Sequence, residues 1–336
     1  MKKQSRLIFS LVFILLSNLV LGINGMNVAD AGEISTLKSV DGKIVIENPG
    51  SAVSDGKYIY YAYQGDGKRM DIIKLDLKTL KSKSIAKKTG NSYTNLSIKG
   101  NYIYAALDKA NGYGVGNEEP YIYRISKDGK HKEKLAVGES PVIAGNKIYY
   151  YSGEIVKFEN ELEKNTGLND FKSDGYISSM DLDGKNKKQV VKINSKANKW
   201  RKLFKSGDKV YYENDKNQIC DLSGKVIKNN QLVNTGEMHF WGFGAHDTYD
   251  VKTKLKYHKV DKFGADKLQV GTYKSGKWGY KTLAGYYMIL NVSVFDKYMM
   301  AKVLDSVTEE KQLCKIYLLD KKGKKVKELH SWAPAE

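Results

Sequence analysis

An all-β fold is what this 336-residue sequence predicts: a β-propeller of six four-stranded blades, closed by the N- and C-terminal strands. Two recurring phrases carry that expectation. The first is a turn glycine, a short polar step and a β-branched residue among tyrosines, Gly56-Lys57-Tyr58-Ile59-Tyr60-Tyr61. It returns at Gly100 to Ala105, Gly145 to Tyr150 and Gly207 to Tyr212, and more weakly at Asp296-Lys297-Tyr298-Met299-Met300-Ala301. The glycines stand 44, 45 and 62 residues apart, and the stretch from Gly207 to Asp296 is close to two such periods. Repeats of roughly 40 to 50 residues built only from strands are what a propeller leaves in a sequence.

The second phrase marks the other side of each repeat. Ile73 to Leu77, Ile122 to Ser126 and Ile177 to Asp181 alternate as strands do, and each runs into a turn: Lys78-Thr79, Lys127-Asp128-Gly129 and Leu182-Asp183-Gly184. Glycine tolerates the positive φ that tight hairpin turns require, so Asp-Gly and Ser-Gly between alternating runs read as hairpins. Three later copies are expected at Ile219 to Gly224, Leu255 to Gly264 and Cys314 to Gly323, each followed by a Lys-rich return strand. Six turn phrases against five tyrosine phrases favour six blades, with five or seven left open.

The remaining segments fall around this frame. Lys2, Lys3 and Arg6 precede an apolar run from Leu7 to Leu21, and Ala29-Asp30-Ala31 fits a small-x-small cleavage site, so residues 1–31 read as a secretory signal peptide. The run is short for a spanning helix, which makes cleavage the expected outcome over a retained anchor. Residues 32–336 then form a single propeller domain without a transmembrane segment. Lys43 to Glu47 is expected to complete the last blade beside strands from 313–329. In the tyrosine phrase Ile59 should pack between blades, with Tyr58 and Tyr60 on the opposite sheet surface. Glu154 to Leu168 accounts for the 62-residue gap as an inserted loop. The C-terminus carries neither an apolar tail nor a wall-sorting motif, which suggests a secreted or wall-associated monomer of a Gram-positive-type bacterium.

The formal charge is +18, and losing Lys2, Lys3, Arg6 and Asp30 with the signal leaves +16. Such a chain is drawn to anionic wall polymers rather than to nucleic acid. Only Arg6, Arg69, Arg124 and Arg201 are arginines. Lysines spread over outer strands equally serve solubility and edge protection. Cys220 and Cys314 sit at non-equivalent repeat positions, so two buried thiols are expected rather than a disulfide.

Chemistry-bearing residues concentrate at Glu237-Met238-His239-Phe240-Trp241-Gly242-Phe243-Gly244-Ala245-His246-Asp247, with His258 nearby. On a strand Glu237, His239, Trp241 and Phe243 would share one face. Together with His246 and Asp247 they are the candidate ligand-binding residues, since an aromatic face bearing a carboxylate and an imidazole suits a carbohydrate or peptide groove. The plain alternative is a blade strand packing its rings on a neighbour. No metal site, catalytic residue or cofactor is assigned: His-x6-His lacks a helical ligand spacing, and Asp181-Leu182-Asp183-Gly184 lacks the rest of a calcium loop. The glycines of Asn111 to Pro120 have no strand-to-helix context for phosphate, and no Gly-x-Ser-x-Gly elbow is present.

The Gly-x-x-Ile-Tyr-Tyr phrase, followed by Ile-Tyr-Arg-Ile-x-x-Asp-Gly-Lys and a Lys-Leu return strand, resembles a bacterial exported propeller family of unknown function. That family is similar to the YWTD propellers of low-density-lipoprotein-receptor relatives and, more loosely, to TolB-type propellers. The resemblance covers about residues 34–330 and weakens over 237–295. It implies a propeller used for protein or ligand contacts and carries no catalytic residue. The chain lacks a Tyr-Trp-Thr-Asp stretch, so receptor ligand specificity does not follow. Three functions stand: a non-enzymatic binder of an extracellular protein, peptide or glycan; a hydrolase or lyase on glycans or peptides; and an envelope component held by charge.

Overall fold

A computed structural model describes residues 43–47, 50–64, 69–89, 91–109, 120–155, 171–193, 202–214, 216, 218–228, 232–235, 238–239, 247–250, 252–262, 264–307 and 312–333. All of its regular structure is β, beginning with β1 (Ile44–Ile46). Blade 1 is β2 (Ala52–Ser54), β3 (Tyr58–Gln64), β4 (Arg69–Asp76) and β5 (Ser82–Thr89). Blade 2 is β6 (Asn91–Lys99), β7 (Tyr102–Lys109), β8 (Tyr121–Ser126) and β9 (Lys132–Val137). Blade 3 is β10 (Glu139–Ala144), β11 (Lys147–Ile155), β12 (Phe171–Asp181) and β13 (Lys188–Lys192). Blade 4 is β14 (Leu203–Ser206), β15 (Lys209–Glu213) and β16 (Ile219–Asp221), with a bridge from Cys220 to Val226 where a fourth strand would run. Two short strands follow, β17 (Leu232–Asn234) and β18 (Met238–His239). Blade 5 is β19 (Asp247–Asp250), β20 (Leu255–Val260), β21 (Asp266–Lys274) and β22 (Lys277–Tyr286). Blade 6 is β23 (Met288–Val294), β24 (Tyr298–Val307), β25 (Gln312–Asp320) and β26 (Lys325–Trp332), with β18 added along β23. The six antiparallel blades make the expected propeller.

Within a blade burial falls from first strand to last. β2 and β23 are buried throughout, whereas β13 and β22 are mostly exposed and carry the lysines. The tyrosine phrase forms the second strand, and both of its faces lie between blades. Ile59 and Tyr61 pack toward blade 6 with Met300 and Leu318, while Tyr60 packs toward blade 2 with Tyr93 and Ile103. Blade 2 repeats this, with Ile103 toward blade 1 and Tyr104 toward blade 3. Period-2 alternation thus becomes two apolar surfaces, each worth about 1.5 to 3 kcal/mol per fully buried large side chain.

The turn phrase supplies a second set of links. The carboxylate of Asp76 accepts from the N–H groups of Lys78 and Thr79, and those of Asp221 and Asp320 accept likewise from their own turns. The turn then reaches the preceding blade. Lys74 donates from blade 1 to the Lys127 carbonyl of blade 2, and Arg124 from blade 2 to the Leu182 carbonyl of blade 3. Asp55–Lys127 (2.9 Å) and Asp250–Lys321 (2.7 Å) are the same ion pair at equivalent positions in two junctions. A Cβ on Gly129 would lie 2.5 Å from the Ile85 carbonyl oxygen of the preceding blade, and Gly323 is as tightly placed against Leu283.

Two expectations are corrected. Lys43 to Glu47 does not complete the last blade. β26 already fills that edge, and β1 instead pairs in parallel with β17, while Glu47 forms an antiparallel bridge with Lys205 of β14. The ring closes by sheet packing of blade 6 on blade 1. Ile46 buries itself on Phe204 and Tyr211, and the Glu47–Lys205 pair (3.1 Å) holds the crossing. Burial raises the Glu47 pKa despite that lysine. The second correction concerns Leu255 to Gly264, which is the second strand of blade 5 and its following turn, not the third. The true third strand is β21, and its hairpin turns at Ser275-Gly276. Cys220 and Cys314 are buried free thiols, as expected. The signal peptide, most of Glu154 to Leu168 and Asn111 to Glu119 lie outside the described residues.

The turn glycines give a graded prediction. Gly56 has φ of 82° and nothing within 4 Å of a Cβ, so Gly56→Ala should cost only the strain of positive φ, about 1 kcal/mol. Gly129 has φ of 80° and the clash with Ile85, so Gly129→Ala should cost about 3 kcal/mol. Urea unfolding of the two variants compares them, and equal losses would show that the turn does not bear on the neighbouring blade.

Candidate functional site

Equivalent positions of the repeat identify where the ring departs from its own rule. In blade 1 the surface facing the preceding blade carries the cross-strand rows Ala52–Tyr61–Ile73 and Ser54–Ile59–Leu75. In blade 5 the same rows read Asp247–His258–Gln269–Thr282 and Tyr249–Lys256–Gly271–Tyr280, with Tyr273–Trp278 beyond them. Partners directly opposite in an antiparallel pair share a face, so these residues form one surface. Lysine replaces isoleucine, and histidine replaces the second tyrosine. The opposite surface of the blade stays apolar, with Tyr257 and Leu268 buried against Ile289 and Val303 of blade 6.

The junction of blades 4 and 5 is accordingly unlike the others. Ile44, Ile46 and Leu232 cover the corresponding surface of blade 4, and the Asn234 side chain donates to the Asp247 carbonyl. No apolar cluster among the described residues joins the two blades. Tyr273 is 57% exposed and Tyr280 41%, the two most exposed rings among the described aromatics.

Charge on this surface is organised around Asp247. One carboxylate oxygen lies 2.5 Å from His258 Nδ1, and the other lies 2.5 Å from Lys256 Nζ. With Nδ1 engaged, Nε2 is the ring's remaining polar atom. Burial works against the Lys256 ammonium, but hydrogen bonds to Asp247 and Tyr280 outweigh it and raise its pKa. The rings pack around the same lysine: Lys256 Nζ lies 5.7 Å from the Trp278 ring centre, and Tyr249 meets Trp278 edge-on at 6.3 Å. Gly271 makes this possible, because a Cβ there would lie 2.8 Å from the Tyr280 ring and 3.1 Å from Trp278. Among the described residues, no three His, Cys, Asp or Glu side chains are grouped to hold a metal ion.

The expected site residues divide as follows. Asp247 stands at the centre of the cluster. His239 lies on β18, its backbone paired with Asn291 along the first strand of blade 6. Glu237, Trp241, Phe243 and His246 lie outside the described residues. Sequence reading noted His258 only as a neighbour and missed Lys256, Tyr249, Trp278 and Tyr280. The available signal was Leu255-Lys256-Tyr257-His258, a tyrosine phrase with polar residues at two packing positions.

A second aromatic cluster joins blades 1 and 6. Tyr61 Oη lies 2.8 Å from His330 Nε2, and the Tyr63 ring stacks on His330 at 3.7 Å, with Trp332 edge-on to Tyr63. Burial lowers the His330 pKa to about 4, which outweighs the field of Asp71 and adds to that of Lys327. The neutral ring with Nε2 accepting from the Tyr61 hydroxyl suits this place.

The unfolded chain takes up a proton near pH 6.5, while the folded chain resists until about pH 4. Stability is therefore full above pH 6.5 and is lost as pH falls toward 4. Urea midpoints measured from pH 7 to 5 should decline in the wild type and flatten in His330→Gln. An unchanged slope in the variant would show that another group carries the dependence.

No family model matches the chain, and no curated protein matches its sequence. Among solved structures it is similar to a chain of the nidogen/laminin complex, at 12% identity over 82% of this chain and 93% of that one, with a TM-score of 0.42. It is similar to TolB from Acinetobacter baumannii at 13% identity, over 83% of this chain and 64% of that one, with a TM-score of 0.39. A puromycin-hydrolyzing peptidase of Mycobacterium tuberculosis matches at 8% identity, over 83% of this chain and 52% of the peptidase, with a TM-score of 0.48. At these identities and TM-scores the likenesses add nothing to the fold that the strand pairing establishes.

Proposed function

We propose that this chain is an exported, non-enzymatic propeller that binds a cell-surface or extracellular partner, with blade 5 making the contact. The observation that supports it most is the polar and aromatic surface at positions where other blades bury apolar side chains. A propeller gains by burying both faces of every blade, so a face that presents Trp278, Tyr280 and an Asp247–His258–Lys256 cluster is one the fold alone does not require. Tyrosine and tryptophan supply large contact area with a polar tip and are favoured at binding surfaces. Export rests on residues 1–31, and amino-terminal sequencing of the secreted form should begin at Gly32.

The Asp247–His258 pair also favours a second reading, acid–base work on a glycan or peptide, because a carboxylate on Nδ1 orients an imidazole for proton transfer at Nε2. Retention by overall charge on anionic wall polymer is the third.

Titration of labelled protein onto isolated Gram-positive envelopes separates them. Binding should saturate, fall about ten-fold in Trp278→Ala/Tyr280→Ala, and survive Lys187→Gln/Lys188→Gln on blade 3. Loss in the lysine variant with none in the aromatic variant would leave charge as the whole effect. Breakdown of envelope polymer by wild type but not by His258→Ala would establish the enzyme instead.

A further inference from the structure

We infer that the open surface of blade 5 is a subsite for an anionic saccharide. This names a partner class for the surface proposed above and rests on that reading. Trp278 and Tyr280 pack close over the bare backbone of Gly271, and Tyr280 remains 41% exposed. A pyranose ring presents a face of polarised C–H bonds that matches the negative face of an aromatic ring. Beside the rings, Lys256 and the Nε2 edge of His258 offer polar contacts to sugar hydroxyls, and Asp247 holds both groups in place.

Charge gives the acid group. Lys254, Lys274 and Lys277 are exposed at the end of the blade where Trp278 projects, and none has an ion pair among the described residues. The nearby carboxylates are already engaged, Asp247 by Lys256 and Asp250 by Lys321. Lys274 and Lys277 pair one step beyond Tyr273–Trp278 and so leave from the reverse face. With Lys254 they nonetheless make the tip of the blade that ends the ring platform cationic, which favours a ligand that joins a flat ring to a carboxylate, sulfate or phosphate. An acidic peptide would satisfy the lysines. Strand addition would place it along the free outer edge of β22 and not over the face that carries the rings, because β22 pairs within the sheet only with β21.

Affinity electrophoresis of the full chain through polygalacturonate, dextran sulfate, neutral dextran and poly-L-glutamate tests this. At least one of the two anionic polysaccharides should bind about ten-fold more tightly than neutral dextran and than poly-L-glutamate. Trp278→Ala/Tyr280→Ala should weaken that binding about ten-fold with an unchanged melting temperature, and Lys274→Gln/Lys277→Gln should lower both affinity and its salt dependence. Equal binding to poly-L-glutamate, indifferent to the aromatic variant, would overturn the saccharide assignment and leave charge. So would absence of binding to both polysaccharides. Envelopes treated with periodate or with protease then separate this proposal from the broader one. Binding that resists periodate but is lost to protease refutes the sugar while keeping a surface partner. Failure to bind untreated envelopes refutes both.

Discussion

Closure of the ring is the constraint on which the rest of this structure depends. A blade in a circular array has two neighbours, so both faces of each sheet must find apolar partners. Strand alternation turns that requirement into a sequence pattern: Ile59 and Tyr61 serve one neighbour while Tyr60 serves the other. The tyrosines suit it because a ring fills the space between sheets while its hydroxyl reaches a polar partner, as Tyr104 does at the Leu182 carbonyl. The seam between blades 4 and 5 departs from the pattern, and β1 and β17 span it with backbone pairing and the Glu47–Lys205 ion pair.

Hydrophobic packing alone would allow the blades to slide, since it is non-directional. The hairpin turns supply direction. The turns of blades 2 and 3 meet the preceding blade, whose Lys74 and Arg124 donate to the turn carbonyls of Lys127 and Leu182. Recurrence of the Asp55–Lys127 pair as Asp250–Lys321, with Tyr60 and Tyr257 at equivalent places beside the two lysines, shows that these contacts belong to the repeat. Part of the lysine content is thus structural: Lys74, Lys127 and Lys321 are tied to specific partners, which leaves a smaller set, including Lys274 and Lys277, available for contacts outside the chain.

Blade 5 satisfies the closure rule on one face and abandons it on the other. Tyr257 and Leu268 hold it to blade 6, while Asp247, Lys256 and His258 stand where blade 1 has Ala52, Ile59 and Tyr61. Buried in a sheet-to-sheet junction, those three groups would carry a desolvation cost that an apolar neighbour could not offset. They belong at a surface that water or a polar ligand can reach. The exchange leaves a polar and aromatic face at the junction of blades 4 and 5, the face on which the proposed function rests.

By itself the sequence determined the period, the hairpin turns, the strand alternation and the free state of both cysteines, because each is set by neighbours a few residues away or by repetition of a local motif. The reading failed where tertiary placement decides. Lys43 to Glu47 has the pattern of a strand but does not state which edge it joins, and the self-sufficient blade 6 excluded it. Leu255 to Gly264 was assigned one strand too far along, because an exposed turn glycine follows two different strands of a blade with similar local chemistry. Of the cluster at 237–247 that composition singles out, Asp247 falls on the surface described above and His239 pairs along blade 6, while Glu237, Trp241, Phe243 and His246 lie outside the described residues. His258, Tyr249 and Trp278 join Asp247 across strands, at separations that no linear motif records. Register and ring position decided that polar residues at repeat-equivalent sites form one face, since cross-strand neighbours are chosen by sheet pairing and not by proximity in the chain.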